Sequence, residues 1–428
     1  MTEEIHYKSA ASRWFHQIPD DWHISKLKFL VNIFTGNSLN DGEKLRFSFD
    51  ENPELKGYNY ISSKDIDVGT RMCNYDTGII IPTSETKYKV APSNSTLLCI
   101  EGGSAGKKIT FTTEDVCFVN KLACFKSTET THSKFVYYFL QSNEFKNQFQ
   151  SSLSGLIGGV SLTNLNDFEI PVPPLSEQQK IADFLDRKTT QIDTIIEKKQ
   201  KLLQLLDEKR KSVINEAVTG QKVWDGNAWV KPSEVKESGV EWIGEIPVDW
   251  SVLKMRRILE LKSGDFISAN DIEAEGVYPV YGGNGIRGYT TKFNREGTFP
   301  LIGRQGALCG NVNYSSGKFW ATEHALLVYP LKDLNLSYYG ELLEVMNLNQ
   351  YSVASAQPGL SVERLLDLEI LFPPVSNQIL IADFITKQRS KFNDIMEKVS
   401  LQIIKLQEYR QSLISEAVTG KIDVTNFN

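Results

Sequence analysis

Pro173-Pro174-Leu175-Ser176-Glu177-Gln178-Gln179-Lys180-Ile181-Ala182-Asp183-Phe184-Leu185-Asp186 opens a stretch that closes on Glu216-Ala217-Val218-Thr219-Gly220. Pro373-Pro374-Val375-Ser376 opens a second, which runs through Ile381-Ala382-Asp383-Phe384 and closes on Glu416-Ala417-Val418-Thr419-Gly420. Residues 159–220 and 359–420 align without a gap, and roughly two positions in five are identical, which chance does not produce. A shorter match lies ahead of each copy. Trp14, Ile18-Pro19, Asp21-Trp22, Lys26 and Gly36 align with Trp242, Ile246-Pro247, Asp249-Trp250, Lys254 and Gly264. Between these anchors the two halves diverge almost fully. Each half is thus a shared lead-in, a variable body and a shared exit, which suggests one scaffold carrying two different readers.

The exits read as helices. The double prolines end an extended stretch. Ser176 and Gln179 have capping-box spacing, whereas the second copy has Ser376 with Ile379. Gly220 and Gly420 stand where a C-terminal cap glycine belongs. Apolar residues recur at 4-3 spacing in both copies: Ile181, Leu185, Ile192, Ile195, Leu202, Leu206, Val213, and then Ile381, Ile385, Phe392, Ile395, Val399, Leu406, Leu413. Lys199, Gln388 and Gln402 interrupt these seams. The spacing is that of a coiled coil; the alternative is two long helices, each packed on its own domain. Connectivity sets the direction. The first helix starts at body one and ends at body two, and the second starts at body two, so helices that pack together run antiparallel. About 43 residues at 1.5 Å rise make a rod of roughly 65 Å. Asn428 is expected to return near body one. The fold class is α+β: two tandem α/β bodies separated by two long helices in an antiparallel coiled coil, a circular pseudo-two-fold repeat. The expected division is body one over 1–175, a central helix over 176–220, body two over 221–375, and a C-terminal helix and tail over 376–428. Residues 221–245, with Trp224, Gly226, Pro232 and Gly239, read as a loop with a surface strand or two.

Composition narrows the class. The 428 residues are 41% hydrophobic and 23% charged, as in a globular protein. No run is apolar for the 18 or so residues of a membrane helix, and Met1-Thr2-Glu3-Glu4-Ile5 does not read as a signal peptide; a cytoplasmic location with no membrane partner is expected. Cys73, Cys99, Cys117, Cys124 and Cys309 are odd in number and form no C-x-x-C pair, so they read as free thiols rather than disulfides or a zinc site. Net charge is −6. A lone nucleic-acid-binding domain is usually basic, so DNA contact here needs local basic patches or a partner that shares the phosphates.

The bodies are rich in short β-like runs punctuated by Gly and Pro: Gly78–Ile81, Ser95–Ile100 and Lys108–Phe111, with Leu326–Tyr329 in body two. Ser133–Phe149 reads as one amphipathic helix and Ser337–Asn347 as its counterpart. Several segments carry groups suited to DNA. Lys56-Gly57-Tyr58-Asn59-Tyr60-Ile61-Ser62-Ser63-Lys64 offers Lys56, Tyr58, Tyr60, Ser62, Ser63 and Lys64. Thr83–Lys89 offers Ser84, Thr86 and Lys87. The turn Glu101-Gly102-Gly103-Ser104-Ala105-Gly106-Lys107-Lys108 offers Ser104, Lys107, Lys108 and backbone N–H groups able to hold a phosphate. Body two offers Tyr281, Asn284, Arg287 and Tyr289 in its glycine-rich run, Arg304 and Gln305 between glycines, and Thr322 and His324. Arginine reads guanine O6 and N7, and Asn or Gln reads adenine N6 and N7.

Catalytic motifs are absent or only apparent. Gly102–Lys108 has three residues between its glycines and a lysine where a Walker A loop has Ser or Thr. Asp76 with Glu85-Thr86-Lys87 is a chance-level match to a nuclease pattern. Val172 and Leu175 around Pro173-Pro174 lack the residues of an amino-methyltransferase signature. His6, His16, His23, His132 and His324 have no metal spacing. Neither a catalytic constellation nor a metal site is expected.

The combination resembles one family: the specificity (S, HsdS) subunit of type I restriction–modification enzymes. The residues that carry the likeness are Gly239-Val240-Glu241-Trp242-Ile243-Gly244-Glu245-Ile246-Pro247 with Asp249-Trp250, Tyr281-Gly282-Gly283-Asn284-Gly285, Ala321-Thr322-Glu323-His324-Ala325, and the two exits. It spans essentially the whole chain. The resemblance implies two target-recognition domains, each reading half of a split asymmetric sequence in double-stranded DNA. It implies that the helices set the spacer and dock two methyltransferase subunits, with restriction subunits joining them in host defence. It also implies no catalysis and no cofactor in this chain: S-adenosylmethionine, ATP and Mg²⁺ would belong to the partners. Polar residues repeated in both helices, Gln178 and Gln378, Glu197 and Glu397, Lys198 and Lys398, Arg210 and Arg410, are candidates for binding one partner twice.

Overall fold

The computed structural model describes residues 6–154, 158–306, 308–352 and 359–424; Asn428, expected near body one, lies outside them. The chain divides into two compact units, Met1–Gln200 with Ser400–Asn428, and Lys201–Val399. The two long helices, α1 (Leu175–Val218) and α2 (Val375–Val418), are each shared between the units.

In the first unit, body one holds strands β1 (Val31–Thr35), β2 (Gly57–Ile61), β3 (Ile80–Pro82), β4 (Val90–Ala91), β5 (Thr96–Cys99), β6 (Ile109–Phe111), β7 (Val116–Phe118) and β8 (Leu122–Ser127). They form two four-stranded sheets, ordered β1-β8-β5-β6 and β3-β2-β7-β4. Pairing is antiparallel except that β2 runs parallel to β7, with Tyr60 opposite Cys117. Strand β5 is buried on both faces, which is why it reads as a continuous apolar run rather than an alternation. Cys99, Cys117 and Cys124 are buried free thiols, and Cys73 is partly buried.

The helix expected over 133–149 is two helices, Ser133–Phe139 and Asn143–Ser151. Ser142 interrupts it, because its hydroxyl accepts the Phe145 N–H at 3.1 Å and restarts the helix as an N-cap. Phe135, Phe139, Phe145 and Phe149 pack from these helices onto Trp22, Phe168 and the first half of α1 through Ile181, Phe184, Leu185 and Ile192. Leu413, Ile414, Ala417 and Val418 of α2 complete the same core. The helices run antiparallel here: Asp193 meets Arg410, and Lys199 donates to Gln402 at 2.7 Å. Two of the polar residues that interrupt the seams thus satisfy each other. The seam itself is narrow. Ile195, 43% exposed, lies outside it although its spacing placed it inside, since two helices bury one stripe between them.

Helix α1 begins at Leu175, and the Pro174 carbonyl accepts the N–H groups of Glu177 and Gln178. Ser176 therefore sits inside the first turn rather than at the cap, and no capping box forms there. Gln178 does a different job. Its side chain accepts the His132 N–H at 2.9 Å and donates to the Pro173 carbonyl at 3.0 Å, clipping body one's helix to the strand–helix corner.

The second unit repeats this plan. Strands β9 (Leu259–Ser263), β10 (Tyr278–Gly282), β11 (Gly285–Thr290), β12 (Arg295–Glu296), β13 (Pro300–Gly303), β14 (Val312–Tyr314), β15 (Lys318–Ala321) and β16 (Ala325–Pro330) form sheets ordered β9-β16-β13-β14 and β11-β10-β15-β12. Each strand occupies the place of its body-one counterpart, including the parallel pair β10 and β15. Helix Leu336–Val345 matches its expected range closely. Gln378 repeats the clip, accepting the Asn335 N–H at 2.8 Å and donating to the Pro373 carbonyl at 2.8 Å. Arg210 of α1 meets Asn393 of α2 at 3.1 Å, again antiparallel. The linker forms a small hairpin, Val223–Trp224 with Trp229–Val230, whose Trp229 stacks on Phe384 at 4.3 Å. Val235–Glu237 pairs with Glu245–Pro247.

Both repeated motifs meet at one kind of joint. In the first unit Gly420 ends α2 with φ +72°, and the Lys421 N–H returns to the Glu416 carbonyl at 2.8 Å. A Cβ on Gly420 would lie 2.5 Å from Pro19 Cγ. In the second unit a Cβ on Gly220, φ +76°, would lie 2.7 Å from Pro247 Cδ and 2.9 Å from Trp250 Cζ3. The joints differ at the tryptophan. Trp22 Nε1 donates to Glu177 at 3.0 Å, and burial lifts that carboxyl above its ordinary range. Trp250 Nε1 is buried without a partner among the described residues, with the shorter Asn377 at the matching place.

Gly420→Ala is expected to destabilise the first unit by about 2–3 kcal/mol, because strain at positive φ and overpacking add; calorimetric unfolding reads this. Asn377→Glu should stabilise the second unit by about 1 kcal/mol by supplying the missing acceptor. A lowered melting temperature would show that the longer side chain does not reach Trp250.

Candidate nucleic-acid interface

In body two three distant segments converge on one rim. The Thr322 N–H donates to the Tyr281 carbonyl at 2.9 Å, which ties the β15–β16 turn to the end of β10. The Arg304 N–H donates to the His324 carbonyl at 2.9 Å, and the Arg304 carbonyl accepts from Leu360 at 2.9 Å. Backbones approach closely here. A Cβ on Gly303 would lie 1.9 Å from the Gly283 carbonyl oxygen, so only glycine lets the two turns touch. The rim carries exposed Asn284, Arg287 and Gln305, and half-buried Arg304 and His324. Asn284 accepts from the Asn311 amide at 3.0 Å, and Arg304 reaches Ser263 at 3.2 Å. His324 sits 3.3 Å from Glu323. The Arg287 side chain lies over Gly282, where a Cβ would come within 2.4 Å of it.

Body one builds the matching rim with other residues. The Val119 N–H donates to the Ile61 carbonyl at 2.9 Å and the Ile100 N–H to the Lys121 carbonyl at 3.0 Å. Glu101 therefore stands where Gln305 stands in body two, and Lys121 where His324 stands. Bridges Glu101–Gly159 and Gln305–Gly359 repeat the match. The chief difference is the connection between β2 and β3, which runs through residues 62–79, against 283–284 in body two. That excursion carries Ser62, Ser63 and Lys64 beside the turn bearing Ser104, Lys107 and Lys108. Lys108 donates to the Ser63 carbonyl, and Ser62 is bound to Asp65 through both its N–H, 2.8 Å, and its hydroxyl, 2.6 Å. Lys64 and Lys107 are exposed.

The remaining candidates separate from these rims. Lys56, Tyr58, Ser84, Thr86 and Lys87 lie toward the opposite end of β2, where Gly57 pairs with Pro82. Lys87 donates to Glu43 at 2.8 Å, and that bond, with those from Asn40 and Tyr88, holds the Glu43 carboxyl down to about 2. Tyr289 pairs with Pro279, several residues from the rim turn, and bridges to Glu273.

Three candidates are core residues. Tyr60 is buried, donates to the Asn37 carbonyl at 2.6 Å, and has its phenol pushed up to about 12 by burial. Tyr281 packs edge-on against Phe319 at 5.5 Å, and Thr322 is fully buried. Tyr60 and Tyr281 lie in strand ends where consecutive residues are buried, and Thr322 lies buried in the turn that follows β15, which their glycine- and polar-rich neighbours concealed. On the helices, Gln178 and Gln378 are buried clips with their amides used internally, and Arg410 is buried against Asp193, so none of the three offers a docking surface. Arg210 is half-buried beside Asp207. Glu197, Lys198, Glu397 and Lys398 are exposed.

Sequence reasoning passed over Glu101, Asn120, Lys121 and Asn311. The signal for Asn120-Lys121 was present, since Val119-Asn120-Lys121 links β7 to β8 as Thr322-Glu323-His324 links β15 to β16. The rims present amides, cations and a carboxylate on rigid turns, the groups that address base edges and phosphates. No group of three or more His, Cys, Asp or Glu among the described residues is placed to hold a metal. None of their helices is long and apolar enough to cross a membrane.

The model of the family described as type I restriction modification DNA specificity domain matches residues 19–204 and 247–405. The chain belongs to this family and carries two copies of the domain. It is 44% identical to the type I restriction enzyme EcoprrI specificity subunit of Escherichia coli over 33% of this chain and 36% of that protein. It is 24% identical to the MjaVIII specificity subunit of Methanocaldococcus jannaschii over 99% of this chain and 98% of that one. The fold is also that of a chain in a solved structure concerned with complex assembly of the type I R-M system, at TM-score 0.70 and 13% identity, covering 95% of this chain and 99% of that one. The HsdS subunit from Thermoanaerobacter tengcongensis gives TM-score 0.51 at 14% identity, covering 97% and 100%.

If the rims read bases, Gln305→Ala should cost about 1–3 kcal/mol of discrimination at one base position and leave the others unchanged. Lys64→Ala should weaken binding to every sequence alike. Competition binding against duplexes with single-base changes separates the two patterns.

Proposed function

We propose that this chain is the DNA sequence-recognition subunit of a type I restriction–modification complex, in which each body reads one half of a bipartite, asymmetric site. The observation that carries this is the pairing of one strand order with two different rims. A scaffold that served a single ligand twice would repeat its contact residues. Here Glu101 and Lys121 face one target, while Gln305 and His324 face another.

The reading includes assembly with two methyltransferase subunits and with restriction subunits. In the first unit the exposed Glu197 and Lys198 are the polar part of one docking surface, and Leu401 and Ile404 of α2, 53% and 50% exposed, are its apolar part. In the second unit Glu397 and Lys398 are the polar part of its equivalent, and Leu202 and Leu205 of α1, 41% and 49% exposed, are the apolar part. An exposed apolar stripe along a helix signals an interaction surface. Methyl transfer from S-adenosylmethionine and ATP- and Mg²⁺-dependent cleavage belong in this reading to the partners. A net charge of −6 is consistent with partners that share the phosphate contacts. The setting is the cytoplasm, where the DNA is.

Methylation mapping of DNA from cells carrying this chain with its methyltransferase partner should return a bipartite motif; one continuous motif would overturn the two-reader model. Equal insertions of whole helical turns in α1 and α2 should change the spacer and leave both half-sites intact. An unchanged spacer would remove the helices from that role.

A further inference from the structure

The first unit contains a cationic cluster outside the rim. Arg410 lies buried on α2 and grips Asp193 of α1 with two bonds, Nε at 2.9 Å and Nη2 at 3.1 Å. The neighbouring Gln411 donates to the Gln141 carbonyl at 2.8 Å and accepts from Lys146 on helix Asn143–Ser151. Arg71, from the excursion between β2 and β3, is in electrostatic reach of Arg410, Asp193, Tyr137 and Tyr138. Lys146 is in reach of both Arg71 and Arg410. Arg410 and Arg71 thus share the field of one carboxylate, and Lys146 adds a third positive charge beside them.

Neither Arg71 nor Lys146 has a carboxylate partner among the described residues. Arg71 donates to the Gly69 carbonyl at 3.1 Å, and Lys146 to an amide oxygen. Burial first, then repulsion from the other cations, moves both below their ordinary basicity. Like charges gathered at a partly buried place cost stability in the free chain. The backbone adds to that cost. Arg71 has φ +61°, an uncommon conformation for a residue other than glycine. A tight turn holds it there: Asp67 accepts the Thr70 N–H at 2.7 Å and its hydroxyl at 2.9 Å, and the Arg71 N–H donates to the Asp67 carbonyl at 3.1 Å. The second unit has Arg210 against the neutral Asn393 at the matching place. Its connection over 283–284 is too short to supply a counterpart of Arg71.

We propose that Arg71 and Lys146, backed by Arg410, form a binding site for a backbone phosphate of duplex DNA, present in the first unit and not in the second. The site rests on the DNA-recognition reading above and adds to it a sequence-independent contact separate from the base-reading rim. A phosphodiester between a guanidinium and an ammonium supplies the charge the cluster lacks. It also anchors the β2–β3 excursion, which carries Ser63 and Lys64, against the DNA.

The test uses the full chain assembled with its methyltransferase subunits and the double variant Arg71→Gln with Lys146→Gln. Binding is measured to a cognate and to a scrambled duplex between about 50 and 200 mM salt. The proposal expects both duplexes to weaken by the same factor, about tenfold at the lower salt, and the salt slope to fall by about one, the value for one lost phosphate contact. It expects the melting temperature of the free chain to hold or rise as the repulsion is removed, and Arg71→Lys to retain the slope. An unchanged slope overturns the proposal, as does weakening confined to the cognate duplex. A wild-type complex that preferred no bipartite duplex would instead overturn the parent reading, and the scrambled-duplex slope would still decide the phosphate site.

Discussion

The structure depends on a joint that has no room for a side chain. A 44-residue helix ends on a glycine at positive φ, and that glycine lies against a proline and a tryptophan. In the first unit Gly420 lies against Pro19 and Trp22, so residues from near the two ends of the chain close the same core. Tyr7 adds a hydrogen bond to the Gly420 carbonyl at 3.0 Å. In the second unit Gly220 lies against Pro247 and Trp250 in the same way. The two sets of repeated residues, Glu-Ala-Val-Thr-Gly and Ile-Pro-x-Asp-Trp, are the two halves of this contact, and this is why both repeat. Any change on one half must be matched on the other, whereas the bodies between them are under no such constraint.

The freedom left to the bodies is spent at the rim. Their strand order is the same, and so are the backbone bonds that hold the turns together, such as Ile100 to Lys121 and Arg304 to His324. The side chains those turns present are different. The β2–β3 excursion enlarges the difference by bringing Lys64 and Arg71 to body one alone. Backbone hydrogen bonds fix where a reading group stands without fixing which group it is, which is the property that a scaffold for variable recognition requires.

The acidic total conceals this distribution. Lys64, Lys107 and Lys121 are exposed at the body-one rim, and Arg71, Lys146 and Arg410 gather beside the helices. In body two, Arg287 extends over Gly282. Elsewhere many cations are neutralised within the chain, as in Lys26 and Lys28 with Asp167, or Arg389 with Glu341 and Glu344. Net charge measures the sum, while association with a polyanion follows local fields over about a Debye length.

The sequence by itself determined the repeat, the two long helices, their antiparallel sense and the presence of two unlike bodies. These follow from periodicity, capping residues and connectivity, which are local or topological facts. It also brought Asn284, Arg304, Gln305 and His324 to notice, because glycine-rich turns display their side chains. It could not separate Tyr60, Tyr281 and Thr322 from that group, since whether a short strand or a turn is buried depends on what packs against it. Nor could it tell that Gln178, Gln378 and Arg410 face inward, because a repeated polar residue on a helix reads alike as a docking group or an internal clip. Only the tertiary structure paired Glu101 with Gln305 and Lys121 with His324, and brought Arg71, Lys146 and Arg410 together from three separate elements. Those relations hold between residues far apart in the chain, and side-chain packing rather than local sequence sets the distances between them.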